Sequence, residues 1–261
     1  MPEWQRALVT GASSGIGEAF AKQLAGRRTN LVIVARGGDR LEKLAVELRG
    51  GHGIAVDVLP ADLTTGAGRD LVCQRLRADD EPIDLLVNNA GVGASGPFGE
   101  IPLEREMQLV ELNVAAVVQL THAAVTAMRK RRRGGVINVS SLSGLQPYPF
   151  GATYGASKAF VNSFSKALHT ELSGLGVKVL AVCPGFTRSR FQASASITRT
   201  PIPDWLWLQP DDVAREGLAA LRAGRAVRVV GPVYRFWAGL TKVVPDVLIR
   251  RALAKPARNR T

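Results

Sequence analysis

Short, almost unbroken apolar runs alternate along this chain with longer stretches in which apolar residues recur every three or four positions. Arg6-Ala-Leu-Val-Thr10 and Asn30-Leu-Val-Ile-Val-Ala35 are apolar at consecutive interior positions, 7–9 and 31–35, the pattern of a strand covered on both faces. The same reading places strands at 53–57, 83–88, 136–139, 177–182 and 226–230. Helical periodicity fills the intervals: a helix opened by Gly11-Ala-Ser-Ser-Gly15-Ile-Gly17 and running to about residue 28, one at about 39–49, a short one from about 64, and long ones at about 103–133 and 153–174. Strands alternating with helices through right-handed crossovers predict an α/β fold, a doubly wound parallel sheet of about seven strands in the order 3-2-1-4-5-6-7 with helices on both faces. No shift of composition marks a linker, so residues 1–261 read as one domain.

Composition narrows the class. With 261 residues and 46% hydrophobic positions, the chain can bury a large core. Its two cysteines, Cys73 and Cys183, stand in apolar surroundings without metal-ligand spacing, so neither a disulfide framework nor a metal site is expected, and a reducing cytoplasm is the default. The first apolar run passes at once into a glycine-rich turn, which is not a signal sequence, and no uninterrupted apolar stretch approaches the length of a membrane-spanning helix.

The net charge of +12 is uneven: residues 215–261 hold eleven Lys/Arg against two Asp/Glu, so +9 lies there. A second basic run, Arg129-Lys-Arg-Arg-Arg133, closes a helix, where cations complement the dipole and Gly134-Gly135 would supply the cap. Basic and aromatic residues do not interleave as on a stacking surface, and no nucleic-acid partner is expected.

Three motifs carry chemistry. Gly11-x3-Gly15-x-Gly17 follows a strand and opens a helix, where glycines let a backbone approach a pyrophosphate and the helix start attracts its charge; by itself it also fits a plain strand-to-helix turn. At the end of the second strand, where an acid commonly meets the ribose hydroxyls of NAD, stands Arg36. A guanidinium there can pair with a 2′-phosphate, which favours NADP(H) over NAD(H), although an arginine at a strand end can equally be a solvated one. Tyr154 and Lys158 are four apart in a helical stretch, so both lie on one face. An ammonium about 4 Å from a phenol, at an effective dielectric of about 20, contributes about 4 kcal/mol and would lower its pKa by about three units. The same spacing fits an amphipathic helix with a surface lysine. His52, His122 and His169 have no partner at ligand or triad spacing and read as structural.

Together these motifs resemble the short-chain dehydrogenase/reductase family over residues 6 to about 190, in the family's order. Thr10-Gly-Ala-Ser-Ser-Gly-Ile-Gly17 matches its cofactor loop, Asp62-Leu63 its adenine-contacting pair and Asn88-Asn-Ala-Gly91 the motif after its fourth strand. Asn113, Ser141, Tyr154 and Lys158 match its catalytic tetrad, with Ser140 and Ser143 as lesser competitors for the serine, and Pro184-Gly185 with Thr187 matches the segment beside the nicotinamide. The resemblance implies a Rossmann-type fold and hydride transfer between NADP(H) and a carbonyl or secondary alcohol. It further implies a cofactor held by Gly11, Ser13, Ser14, Gly15, Ile16, Gly17, Arg36, Asp62, Leu63, Asn89, Ala90, Gly91, Tyr154, Lys158, Pro184, Gly185 and Thr187. In it Tyr154 is the proton donor, Ser141 bonds the carbonyl oxygen, Lys158 tunes the tyrosine and binds ribose hydroxyls, and Asn113 holds a water. It implies a homodimer or homotetramer as well. A scaffold or sensor keeping this fold without turnover would be expected to lack Tyr154 or Lys158; an epimerase or dehydratase usually needs a larger substrate domain.

Residues 186–209 would form the substrate lid, and their aromatic and aliphatic residues suggest a lipophilic ketone, aldehyde or 3-oxoacyl compound; the same residues could simply pack on the fold. In 233–261 apolar and basic residues interleave. That suits a peripheral membrane or acyl-carrier contact, and equally a helix pair packed on the domain or a second subunit.

Overall fold

The computed structural model describes residues 3–189, 191 and 203–240. Within them lie strands β1 (Arg6–Thr10), β2 (Asn30–Ala35), β3 (Val56–Pro60), β4 (Leu85–Asn88), β5 (Gly134–Val139), β6 (Val177–Cys183) and β7 (Val227–Val229). All pair in parallel, in the order β3-β2-β1-β4-β5-β6-β7. The helices are α1 (Gly15–Ala25), α2 (Gly38–His52), α3 (Gly66–Arg77), α4 (Leu103–Val110), α5 (Ala116–Arg131), α6 (Ala152–Glu171), α7 (Pro210–Arg222) and α8 (Pro232–Leu240).

Alternation along each strand divides the core in two. Ala7, Val9, Leu31, Ile33, Leu85 and Val87 face Phe20 and Leu24 of α1, Leu41 and Leu48 of α2 and Leu218 and Leu221 of α7. Leu8, Val32, Val34, Leu86, Val136 and Val179 face Val72 and Leu76 of α3 and Leu120 and Met128 of α5. Both faces are therefore dry, which is why the strands read as continuous apolar runs. Because all strands are parallel, the loops after β1, β4, β5 and β6 emerge at one edge, and the order reverses between β1 and β4, where doubly wound sheets form their ligand crevice.

Three local expectations change. The third strand is not 53–57: Gly53, at φ 61, ends α2 in the left-handed conformation, and pairing runs from Leu31↔Val56 to Ala35↔Pro60. Pro60 is accommodated because β3 is an edge strand. The cap after α5 is Arg132, at φ 50, and Gly134 and Gly135 open β5 instead. A Cβ on Gly134 would collide with Met128, and one on Gly135 would lie 3.0 Å from Trp4. The long helix of 103–133 is interrupted by a π turn, Glu111–Ala115. Leu103–Arg131 is, among the described residues, long and apolar enough to cross a membrane, but half of its most apolar window is buried against the sheet.

Candidate active site

Backbone geometry shapes the loop between β1 and α1. Gly11 and Gly15 adopt φ 64 and 60, and a Cβ on Gly17 would strike the Gly11 carbonyl and the Asn89 amide; only glycine fits. Thr10 Oγ1 accepts from the N–H groups of Asn89 and Ala90, each at 3.0 Å. Asn89 Nδ2 donates to the carbonyls of Thr10 (2.9 Å) and Gly11 (3.2 Å). The Asn89 side chain thus fastens the β4 loop to the β1 loop. Ser14, at the start of α1, makes no capping bond to the helix, which leaves the first-turn N–H groups at Gly15, Ile16 and Gly17 for an anion. Ser13, Ser14 and Ile16 stay partly exposed at its rim. A cradle closed to a methyl group and lined by free helix donors fits a dinucleotide pyrophosphate.

The adenosine side of the crevice is less obvious from sequence. Arg36 is exposed just beyond β2. Burial pushes the Asp62 carboxyl up, but the N–H and hydroxyl of Thr64, at 3.0 and 2.8 Å, and the Arg36 cation hold it below the usual carboxylate value. Leu63 is buried. Arg69, unremarked in the sequence, clamps this loop: it donates to the carbonyls of Leu63 (3.2 Å) and Thr64 (3.1 Å), to Gln119 Oε1 (2.9 Å), and pairs with Glu111 at 2.8 Å. No local pattern marks such a role, because two of its partners, Glu111 and Gln119, lie on the π turn and α5.

The tetrad residues converge where β5 meets α6. Ser141 leads into a tight turn, Leu142–Gly144. Gly144 must be glycine because a Cβ there would collide with the backbone of Lys158. Ser140 Oγ donates to the Lys158 carbonyl (2.9 Å) and Asn162 Nδ2 to the Gly144 carbonyl (3.2 Å), while Cys183 Sγ donates to Asn162 Oδ1 (3.1 Å). The serine loop is therefore bolted to the helix that carries Tyr154 and Lys158. Asn113 lies in the π turn, buried; it accepts from the Val92 N–H (3.0 Å) and donates to the Val92 carbonyl (2.9 Å) and Ser157 Oγ (3.2 Å). A Cβ on Gly91 would lie 3.1 Å from Asn113 Oδ1 and 3.6 Å from Lys158 Nζ, so the β4 loop, Asn113 and Lys158 meet at one point. π turns recur at functional sites, and nothing in Glu111-Leu-Asn-Val-Ala115 announces this one.

Charge tuning differs from the expectation that Lys158 lowers Tyr154. The ammonium, 6% exposed, donates to the Val139 carbonyl at 2.9 Å and stands 5.9 Å from the centre of the tyrosine ring. Burial lowers Lys158 to about 8. Part of the Tyr154 ring reaches the surface, but its hydroxyl is enclosed: burial pushes it up to about 12, opposed by hydrogen bonds from Ser141 and Ser143. Desolvation dominates both shifts, in opposite directions because it disfavours the charged form of each group.

Aromatic rings flank the tyrosine. Tyr148 lies edge-on at 6.2 Å, in space left by Gly151 and Gly155, and Phe191 lies at 5.6 Å. The Pro184 carbonyl accepts from the Leu142 N–H at 3.0 Å. Gly185 sits against the Tyr234 ring, and Thr187, buried, donates to the Gly185 carbonyl at 3.1 Å. Tyr234 Oη accepts from the Phe186 N–H (3.3 Å) and donates to the Leu206 carbonyl (2.7 Å). Thr187 pairs with Leu208, Arg188 with Asp204 at 2.6 Å, and a Cβ on Gly15 would lie 3.0 Å from Ser189. The described ends of the lid thus close over the cofactor loop. Residues 190, 192–202 and 241–261, parts of the expected lid and basic tail, lie outside the described residues.

Comparison with known proteins agrees with the fold. The family profile described as short chain dehydrogenase matches residues 5–200. A very-long-chain 3-oxoacyl-CoA reductase of Anas platyrhynchos is 34% identical over 190 residues, 70% of this chain and 60% of that protein; the chain spans less than two thirds of that relative. A short-chain dehydrogenase of Sphingobium yanoikuyae, solved with NADPH, is 35% identical with a TM-score of 0.83, over 94% of this chain and 97% of that one. The bulky-bulky ketone specific alcohol dehydrogenase of Comamonas testosteroni is 33% identical with a TM-score of 0.80, over 96% and 93%. A Burkholderia phymatum member solved with NAD is 26% identical with a TM-score of 0.79, over 90% and 92%. The sheet order, the glycine cradle at its switch point and the match across residues 5–200 place this chain in the short-chain dehydrogenase/reductase family.

Proposed function

We propose that the protein reduces lipophilic ketones, aldehydes or 3-oxoacyl compounds with NADP(H). The observation that carries this reading is the convergence of Ser141, Tyr154, Lys158 and Asn113 beside the glycine cradle. NADPH, when bound, supplies the hydride. Tyr154 supplies the proton to the carbonyl oxygen; a phenol held up at about 12 is protonated at neutral pH, the form a reductase requires. Ser141 donates a hydrogen bond to the same oxygen as negative charge grows on it. Lys158, held at Val139, has further donors for ribose hydroxyls, and Asn113 orders the β4 loop around it. Arg36 recognises the 2′-phosphate and Asp62 with Leu63 the adenine. The NADPH complex of the Sphingobium relative supports the nucleotide, while the Burkholderia complex with NAD shows that the fold also accepts the other one. Tyr148, Phe191, Phe186 and Trp207 support an apolar substrate, as do the bulky ketones and the acyl chain in the relatives' names.

The test is a panel of ketones, aldehydes, 3-oxoacyl thioesters and secondary alcohols, assayed with NADPH and NADPH's counterpart NADH by nicotinamide absorbance. Turnover of one apolar carbonyl class is expected; NADPH binding with no turnover across the panel would overturn the reductase reading.

A second contact, with an anionic lipid surface, is favoured by α8. Phe236 and Trp237, 70% and 58% exposed, share its outward face with Leu240, opposite the buried Tyr234, and the sequence beyond is basic. Vesicles of phosphatidylglycerol should co-sediment the full chain and not its F236S/W237S variant. Equal binding by both removes the proposal. Truncation before Tyr234 is a poorer test, since it deletes the bonds to Phe186 and Leu206.

A further inference from the structure

We propose that Ser143 is a positioning residue that commits the Ser141 proton to the substrate carbonyl. The inference rests on the assignment of Ser141 to that carbonyl. A serine hydroxyl has two acceptor sites and one proton. Ser141 Oγ accepts twice from the same neighbour: from the Ser143 N–H at 3.2 Å and from Ser143 Oγ at 2.9 Å. Both acceptor sites are filled, so the Ser141 O–H is left to donate outward, the polarity needed at an oxygen that gains negative charge.

The neighbouring Ser140 is excluded from that role: it is buried, and its proton goes to the Lys158 carbonyl at 2.9 Å. Ser143 Oγ bonds Ser141 Oγ at 2.9 Å and also reaches the Tyr154 hydroxyl. With Ser143 on its acceptor side, Ser141 turns its own proton toward the Tyr154 hydroxyl and the reacting oxygen beside it. The turn also holds Ser143 in place: the Gly144 N–H bonds the Ser141 carbonyl at 3.2 Å, and Gly144 abuts the Lys158 backbone. The Ser143 carbonyl lies 3.4 Å from the Cβ position of Gly155, on the helix turn that carries Tyr154. Ser143 is thus fixed relative to the tyrosine as well as to Ser141. The titratable groups facing the Tyr154 phenol are Tyr148, edge-on at 6.2 Å, and Lys158, 5.9 Å from the ring centre; Cys183 faces Lys158.

Four variants test this on the fastest ketone of the panel with NADPH: S143A, S143T, S141A and S141A/S143A. S143A should lower kcat about tenfold with KM nearly unchanged, the worth of one hydrogen bond at the reacting oxygen, and S143T should restore it. The alkaline limb of its pH–rate profile should move to higher pH, because the serine hydroxyls favour the phenolate. A residue that only supports the fold would lower thermal stability without moving that limb. Since Ser143 acts through Ser141, the double variant should be no slower than S141A. Wild-type kcat and pH profile in S143A would overturn the proposal, as would a full additional loss in the double variant, which would make Ser143 a direct donor. Wild-type activity in S141A would instead break the assignment of Ser141 on which the proposal rests. Without relying on turnover, the ultraviolet absorbance of the Tyr154 phenolate, read in a Y148F/Y234F background that leaves one tyrosine of three, should rise at higher pH when Ser143 is alanine; an unmoved curve counts against the proposal.

Discussion

The cradle between β1 and β4 and the reaction centre between β5 and α6 solve opposite problems at one edge of the sheet. In the cradle, recognition is built from backbone: glycines at positive φ, Cβ positions already occupied, and the Thr10 and Asn89 bonds that tie two loops together. In the reaction centre it is built from side-chain protons in a dry environment, where an ammonium falls to about 8 and a phenol rises to about 12. The cradle is shaped by short-range repulsion, the centre by desolvation.

The difference can be pressed from both sides. The largest effect is expected at the centre: Y154F removes the proton donor and should reduce turnover about 10³- to 10⁴-fold while the Kd for NADPH, by fluorescence titration, stays within about twofold. Substantial residual turnover would remove Tyr154 from its role. Next, R36Q at the rim of the cradle should raise KM for NADPH about 10- to 100-fold and leave that for NADH unchanged, since a charge-assisted phosphate bond contributes about 1.5–3 kcal/mol. Equal wild-type KM values for the two nucleotides would contradict the assignment.

The smallest effect is the most diagnostic of burial. A lysine brought from 10.5 to about 8 costs the fold about 3 kcal/mol at neutral pH, and K158M forfeits one hydrogen bond, leaving the Val139 carbonyl unpaired at about 1–2 kcal/mol. The variant should be inactive yet melt about 3–6 °C higher. Because the folded pKa is the lower one, the unfolded chain binds more protons between about 8 and 10.5, so the wild type gains stability as pH rises through that window. The advantage of K158M, measured by urea unfolding, should therefore shrink between about pH 7 and about pH 10. An advantage independent of pH would mean that Lys158 is not held as a desolvated cation.

What could be read before folding follows the same division. The strand order, the glycine loop, Ser141, Tyr154, Lys158 and the loop after β4 were legible because each depends on local spacing or on a motif within a few residues. The third strand slipped because Gly53 serves as a helix stop, a choice made by pairing with β2. Gly134 and Gly135 were misassigned as a cap because their reason for being glycine is Met128 and Trp4, packed across from them. Arg69 and the π turn around Asn113 carry no local signal at all.

The sequence by itself determined the fold and a candidate chemistry: unbroken apolar runs between helical stretches dictate a buried parallel sheet, and glycine, serine, tyrosine and lysine at fixed separations mark a candidate nucleotide and proton-transfer site. Only the tertiary structure decided how far that site is withdrawn from water. Spacing along a helix establishes that Tyr154 and Lys158 are neighbours, but the burial that shifts them depends on elements distant in the chain closing over them.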